Sequence, residues 1–162
     1  MNDKLVVTVL GNRNSGKSRT WNELFGRTVR TGTRLKNLYL SASEYVEVFL
    51  VSGSPEERNA YVANIIGRRR PPLVLCSIQY LAHATRTIDY FLRNRYSIYT
   101  QWLNPGFSDG RREPDSLGLT SYLLNRGGVV AVRNGRSRPS RRVQELNDFI
   151  YGWARSRGLL LT

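Results

Sequence analysis

The sequence predicts an α/β fold with a mostly parallel central sheet of about six strands and helices on both faces. Two observations lead there. Short apolar runs alternate along the chain with segments whose apolar residues recur at helical spacing. The runs are apolar on both alternating sets of positions, as in parallel strands covered on two sides. The length of 162 residues suits one domain, and no internal repeat or linker divides it.

Residues 5–10 (LVVTVL) read as the first strand, followed by a loop over 11–16. A helix over Lys17–Phe25 is stopped by Gly26. Residues 28–34, rich in Thr, Gly and Arg, form an exposed loop. Residues 35–40 and Tyr45–Val51 (YVEVFLV) are strands separated by a turn, which predicts an antiparallel hairpin. Pro55 is placed as the first residue of the next helix, with Glu56 and Glu57 at its positive end. Tyr61, Ile65 and Ile66 continue that helix, and Gly67 with the following arginines closes it. After Pro71 and Pro72 comes a fourth strand, 73–78 (LVLCSI), then a helix over 84–94 with Ile88, Phe91 and Leu92 on one face. Tyr96–Leu103 (YSIYTQWL) is the fifth strand, and 104–114 a long loop. A short helix over 116–125 precedes the sixth strand, 129–132. A final helix over 141–157 carries Val143, Leu146, Ile150 and Trp153 on its apolar stripe.

Lys and Arg total 25 against 12 Asp and Glu, a net charge of +13. Such a chain attracts anions: nucleotides, nucleic acid or an acidic membrane surface. The densest basic clusters are Arg68, Arg69 and Arg70, and the segment 136–142 (RSRPSRR), from Arg136 to Arg142. Either can meet backbone phosphates of a nucleic acid, or another polyanion, without sequence preference. A protein partner is equally compatible with these surfaces. The single cysteine, Cys76, and single histidine, His83, exclude an internal disulfide framework and a Cys/His zinc cluster. Cys76 reads as a buried core residue, His83 as a capping or surface one. The first apolar run is too short for a signal peptide, and no run reaches the length of a membrane span. A soluble, cytoplasmic protein is expected.

The residues after the first strand are GNRNSGKS: Gly11, Asn12, Arg13, Asn14, Ser15, Gly16, Lys17 and Ser18. They fit G-x-x-x-x-G-K-[ST] at every fixed position, between a strand and a helix as the motif's mechanics require. A chance match somewhere in a chain this long is roughly a 1-in-200 event, so the motif carries weight. The glycines permit a tight turn whose N–H groups, with the positive helix start, cradle phosphate oxygens. Lys17 neutralises the outer phosphates, and the Ser18 hydroxyl is a ligand for Mg²⁺. Arg19 follows at the helix start within reach of the same ligand. Arg13 adds positive charge toward the γ-phosphate, and Gln79, ending the fourth strand, can orient water or sense that phosphate.

Residues 5–26, with NSGKS followed by NELFG (Asn22, Leu24 and Phe25 among them), resemble the start of a small GTPase-like domain of the translation-factor-related kind. The resemblance implies the three-layer fold of P-loop nucleoside triphosphatases. It also implies a switch loop in which Thr31 or Thr33 meets the γ-phosphate or Mg²⁺. Two departures accompany it. The family's Asp-x-x-Gly after the third strand is absent, and Ser52 stands where the metal-supporting Asp is expected. Glu56 or Glu57, just beyond, are the candidate substitutes. The guanine signature Asn-Lys-x-Asp is also absent, leaving Asn104 and Asp109 after the fifth strand as candidate base contacts and leaving ATP and GTP both open.

The expected function is Mg²⁺-dependent binding of ATP or GTP, with slow hydrolysis or a nucleotide-gated switch. Two alternatives stay open. One is a P-loop nucleoside or nucleotide kinase with Arg111 and Arg112 in a lid. The other is a nucleotide-regulated module that binds nucleic acid or another polyanion.

Overall fold

The first apolar run becomes β1 (Lys4–Gly11), whose residues from Leu5 to Leu10 are fully buried because the strand lies inside the sheet and is covered on both faces. A computed structural model describes residues 3–104 and 113–162. Within them the strands β1, β2 (Lys36–Tyr39), β3 (Tyr45–Val51), β4 (Leu73–Gln79), β5 (Tyr96–Leu103) and β6 (Val129–Arg133) form one sheet in the order β2-β3-β4-β1-β5-β6. All neighbours are parallel except the β2–β3 hairpin. The molecule is therefore α/β with a six-stranded, mostly parallel sheet.

The strand order dictates where the helices go. Parallel crossovers are right-handed, so connections that step in opposite directions along the sheet cover opposite faces. From β1 the chain steps one way to β3, and α1 (Lys17–Phe25) lies on one face. From β3 it steps back through β4 and β5 to β6. That course places α2 (Val62–Ile66), α3 (Thr85–Arg93) and α4 (Leu119–Leu124) on the other face. α5 (Ser140–Ser156) returns beside α1. The core divides accordingly. Leu5, Val7 and Val9 pack with Trp21, Leu24, Leu146 and Ile150 of α1 and α5. Val6 and Leu10 pack with Ile66, Ile88, Phe91 and Leu123 of the other three helices. Each such fully buried aliphatic side chain contributes roughly 1.5–3 kcal/mol. Two pairs of polar side chains meet inside the layers: Thr8 Oγ1 with Thr100 Oγ1 at 2.6 Å, and Trp21 Nε1 donating to Ser77 Oγ at 2.8 Å.

The hairpin, the helix ending at Gly26 (φ 68°) and the long final helix fall within three residues of their expected bounds. The helix expected from Pro55 is different. Residues 55–59 form turns, and α2 begins only at Val62. Ser54 Oγ accepts from Glu57 N at 3.3 Å and Asn59 adopts a left-handed conformation (φ 48°) that no continuing helix allows. Cys76 is fully buried and His83 exposed. Among the described residues no helix is long and apolar enough to cross a membrane.

Candidate functional site

The loop after β1 leads to α1 on one face, whereas the loop after the neighbouring β4 leads to α3 on the other. Diverging loops open a crevice outside the carboxyl ends of two adjacent strands, the place where open α/β sheets take ligands. Gly11 and Gln79, the last residues of β1 and β4, are register partners there, and Tyr80 N donates to Gly11 O at 3.0 Å.

The 11–18 loop occupies one side of this crevice in a tightly wound form. Asn14 (φ 63°) and Gly16 (φ 104°) are both left-handed, and Gly16 is the residue from which α1 starts. A Cβ on Gly11 would stand 2.2 Å from Ser15 Oγ, so the first glycine of the motif is required by close packing within the loop. A second contact comes from far along the chain: a Cβ on Gly135 would lie 1.8 Å from Ser15 O, and one on Gly16 would lie 2.6 Å from Gly135 O. The segment after β6 thus presses directly on the loop.

Lys17 is the first residue of α1 and is buried. Its Nζ donates to Gly11 O at 3.1 Å, Asn12 O at 2.8 Å and Gln79 Oε1 at 2.8 Å. The Glu57 carboxylate stands 3.8 Å away. Burial lowers the Lys17 pKa from its ordinary value, with the neighbouring carboxylates of Glu57 and Glu56 opposing that shift. The ammonium is thus partly desolvated, which strengthens its attraction for an incoming anion.

In front of the loop lies a cleft of about 800 Å³, within the size range of small-molecule sites. Among the described residues, Arg13, Lys17, Arg19 and Arg136 line it against one acid, Glu57, and Ser18 and Ser52 supply hydroxyls. The two candidate carboxylates are separated by the turn at 55–59. Glu57 faces the cleft. Glu56 points to the opposite side, where it accepts from Gln79 N (2.8 Å) and from Thr87 Oγ1 (2.5 Å). Burial raises the Glu56 pKa, with the hydrogen bonds from Thr87 and Gln79 opposing the shift. Glu56 therefore holds the end of β4, and through it Gln79, in place.

The other residues singled out from sequence are distributed as follows. Asn14 and Gly16 line the cleft with Arg13 and Arg19. Asn12 Nδ2 donates to Glu113 Oε2 at 2.9 Å, and Ser15 is buried. Thr31 lies beside Ser18 in an adjoining depression, where its Oγ1 accepts from Ser52 N at 2.9 Å. Thr33 is exposed and outside both sets of lining residues. Asn104 is buried, and its amide clamps the backbone of Glu113, donating to its O at 2.7 Å and accepting from its N at 3.0 Å. Asp109, Arg111 and Arg112 lie outside the described residues. Sequence reasoning did not assign Gly135 or Arg136 to this site. Their signal, a Gly-containing turn after the sixth strand, is too common to single out.

No protein-family model matches the chain, and no curated protein matches it significantly.

Proposed function

We propose that this protein binds Mg²⁺ with a nucleoside triphosphate, ATP or GTP, in the cleft at the end of β1, and that it hydrolyses the triphosphate slowly or uses it as a conformational switch. The observation that carries the reading is the placement of Lys17. The motif lysine stands at the crevice between β1 and β4, under a basic cleft large enough for a nucleotide. The chain's own groups suit such a ligand. The tight glycine turn presents backbone N–H groups to phosphate oxygens. Arg13, Arg19 and Arg136 surround them with positive charge.

Magnesium commonly takes one or two protein oxygens, with phosphate oxygens and water completing its shell. Among the described residues no cluster of three or more His, Cys, Asp or Glu side chains could hold a metal unaided. The Ser18 hydroxyl, with Glu57 as outer support in place of the expected strand-end Asp, fits the smaller demand. When bound, the ion would neutralise charge on the phosphates. In this reading Glu57, which lines the cleft, takes a proton from an attacking water, and Gln79, bonded to Lys17, orients that water or reports the γ-phosphate.

For a phosphate to engage Lys17, the ammonium must leave some of its four present partners. The triphosphate competes best for it, because its terminal oxygens carry the highest charge. Titration with ATP, GTP and both diphosphates, with and without Mg²⁺, followed by a phosphate-release assay, tests the reading. A preference for a triphosphate that requires Mg²⁺ supports it, and equal indifference to all four nucleotides overturns it.

A further inference from the structure

The segment 133–142 does more than close the cleft described above. Its far side forms a second cavity, of about 450 Å³, at the start of α5. Among the described residues, every side chain lining it is polar or charged. Arg138 and Arg141 stand exposed at the rim, Ser137 and Ser140 offer hydroxyls, and the one acid, Glu145, is already paired with Arg133 at 2.8 Å. The wall is Arg142, which is 4% exposed. Its Nη1 donates to Thr20 Oγ1 of α1, but its Nε and Nη2 have no hydrogen-bond partner among the described residues. A buried guanidinium with idle donors is expensive to maintain unless an anion compensates it. Arg138, Arg141 and the start of α5, which has no side-chain cap, border one volume, and the charge of Arg142 stands behind its wall.

We propose that this cavity is a binding site for the phosphodiester backbone of a nucleic acid strand, distinct from the nucleotide cleft. Three features choose this ligand over another polyanion. Among the described residues no apolar side chain lines the cavity, and the charged side chains there favour a charged ligand over an acyl chain. Its arginine forks and hydroxyls match phosphate oxygens. Two exposed arginines, Arg138 and Arg141, on a chain of net charge +13 suit charge repeated along a strand rather than a single ion. Recognition by such a surface is independent of base sequence.

The test uses the full chain, a fluorescein-labelled oligothymidylate and fluorescence anisotropy at several salt concentrations, without added nucleotide. The double variant Arg138→Ala/Arg141→Ala removes two exposed side chains outside the nucleotide cleft. Arg68→Ala/Arg70→Ala removes the same charge from the opposite end of the sheet. The proposal expects the first to weaken binding by roughly tenfold or more and to flatten the slope of log K against log salt by about 1.4, and the second to change neither. Equal losses in both variants would mean that net charge alone binds DNA, and the proposal would fall. It would fall equally if the first variant bound as the wild type does, or if the wild type bound anionic lipid vesicles and not the oligonucleotide. Because nucleotide is absent throughout, the outcome does not depend on the nucleotide reading.

Discussion

Lys17 Nζ and Gln79 Oε1 meet at 2.8 Å across the crevice between β1 and β4, joining residues 62 positions apart. The contact links the 11–18 loop to the end of the neighbouring strand, so any ligand that draws Lys17 outward is felt at Gln79. In the proposed function Gln79 responds to the terminal phosphate. Replacing Gln79 by Ala should lower the ratio of triphosphate to diphosphate affinity about fivefold, the worth of roughly one hydrogen bond. Parallel titrations of the two nucleotides measure it. An unchanged ratio would reduce Gln79 to a strand-end polar residue.

In the proposed function Glu57 supports the magnesium shell and serves hydrolysis by its position, while its charge repels the phosphates. Glu57→Gln keeps an oxygen for the metal's water shell and drops the repelling charge, so it should bind triphosphate about as tightly as the wild type and release phosphate slower by on the order of 10²-fold. Binding and single-turnover phosphate release on the same preparation separate the two effects. A residue that only packs beside Lys17 would alter neither in this pattern.

Gly135 sits against Ser15 O with no room for a methyl group. Gly135→Ala should cost about 1–3 kcal/mol of stability through overpacking, and weaken nucleotide binding because the loop must move. Gly152 provides the contrast. It lies inside α5 with nothing within 4 Å of an added Cβ, so Gly152→Ala should stabilise by roughly 0.5–1 kcal/mol. Urea denaturation of the two variants, with the nucleotide titration of the first, checks both signs.

Glu56 gives the account a pH dependence. Burial raises its folded-state pKa above the ordinary glutamate value, so the unfolded chain ionises first as pH rises. Between those two values the folded state holds more protons than the unfolded state, and stability falls with rising pH. Below the ordinary glutamate range both states are protonated, and above the raised value both are ionised. Glu56→Gln removes this titration. Its stability relative to wild type should rise across that window and level off above it. Denaturation midpoints measured over a pH series test this, and a difference independent of pH would contradict it.

The crevice was partly legible in the sequence. The spacing of Gly11, Gly16, Lys17 and Ser18 follows a strand and opens a helix, so local chemistry alone located the loop. The buried strands were readable because apolar runs covered on both faces leave an unambiguous pattern, as in β1 and β4. The turn at 55–59 was not readable. Pro55, Glu56 and Glu57 carry a good helix-start composition, and Ser54 even caps the first turn, but the left-handed Asn59 closes it before a helix can continue. The packing of Gly135 on Ser15 and the bond from Arg142 to Thr20 escaped for a different reason. Each joins residues about 120 positions apart in the sequence, and only the return of the chain beside α1 creates them. The separation of Glu56 from Glu57 likewise depends on a turn whose direction their neighbours do not encode.

The central claim is that Lys17 holds a triphosphate. Lys17→Ala leaves Gly11 O and Asn12 O with their backbone donors, Tyr80 N and Ser15 N, so the fold should persist by circular dichroism. A fluorescent triphosphate analogue, titrated into wild type and variant with Mg²⁺, gives the direct measurement. The account predicts saturable binding to the wild type, displaced by unlabelled ATP or GTP, and a loss of roughly 10- to 100-fold in the variant. Equal affinity in the two proteins, or no saturable binding to the wild type, would contradict it.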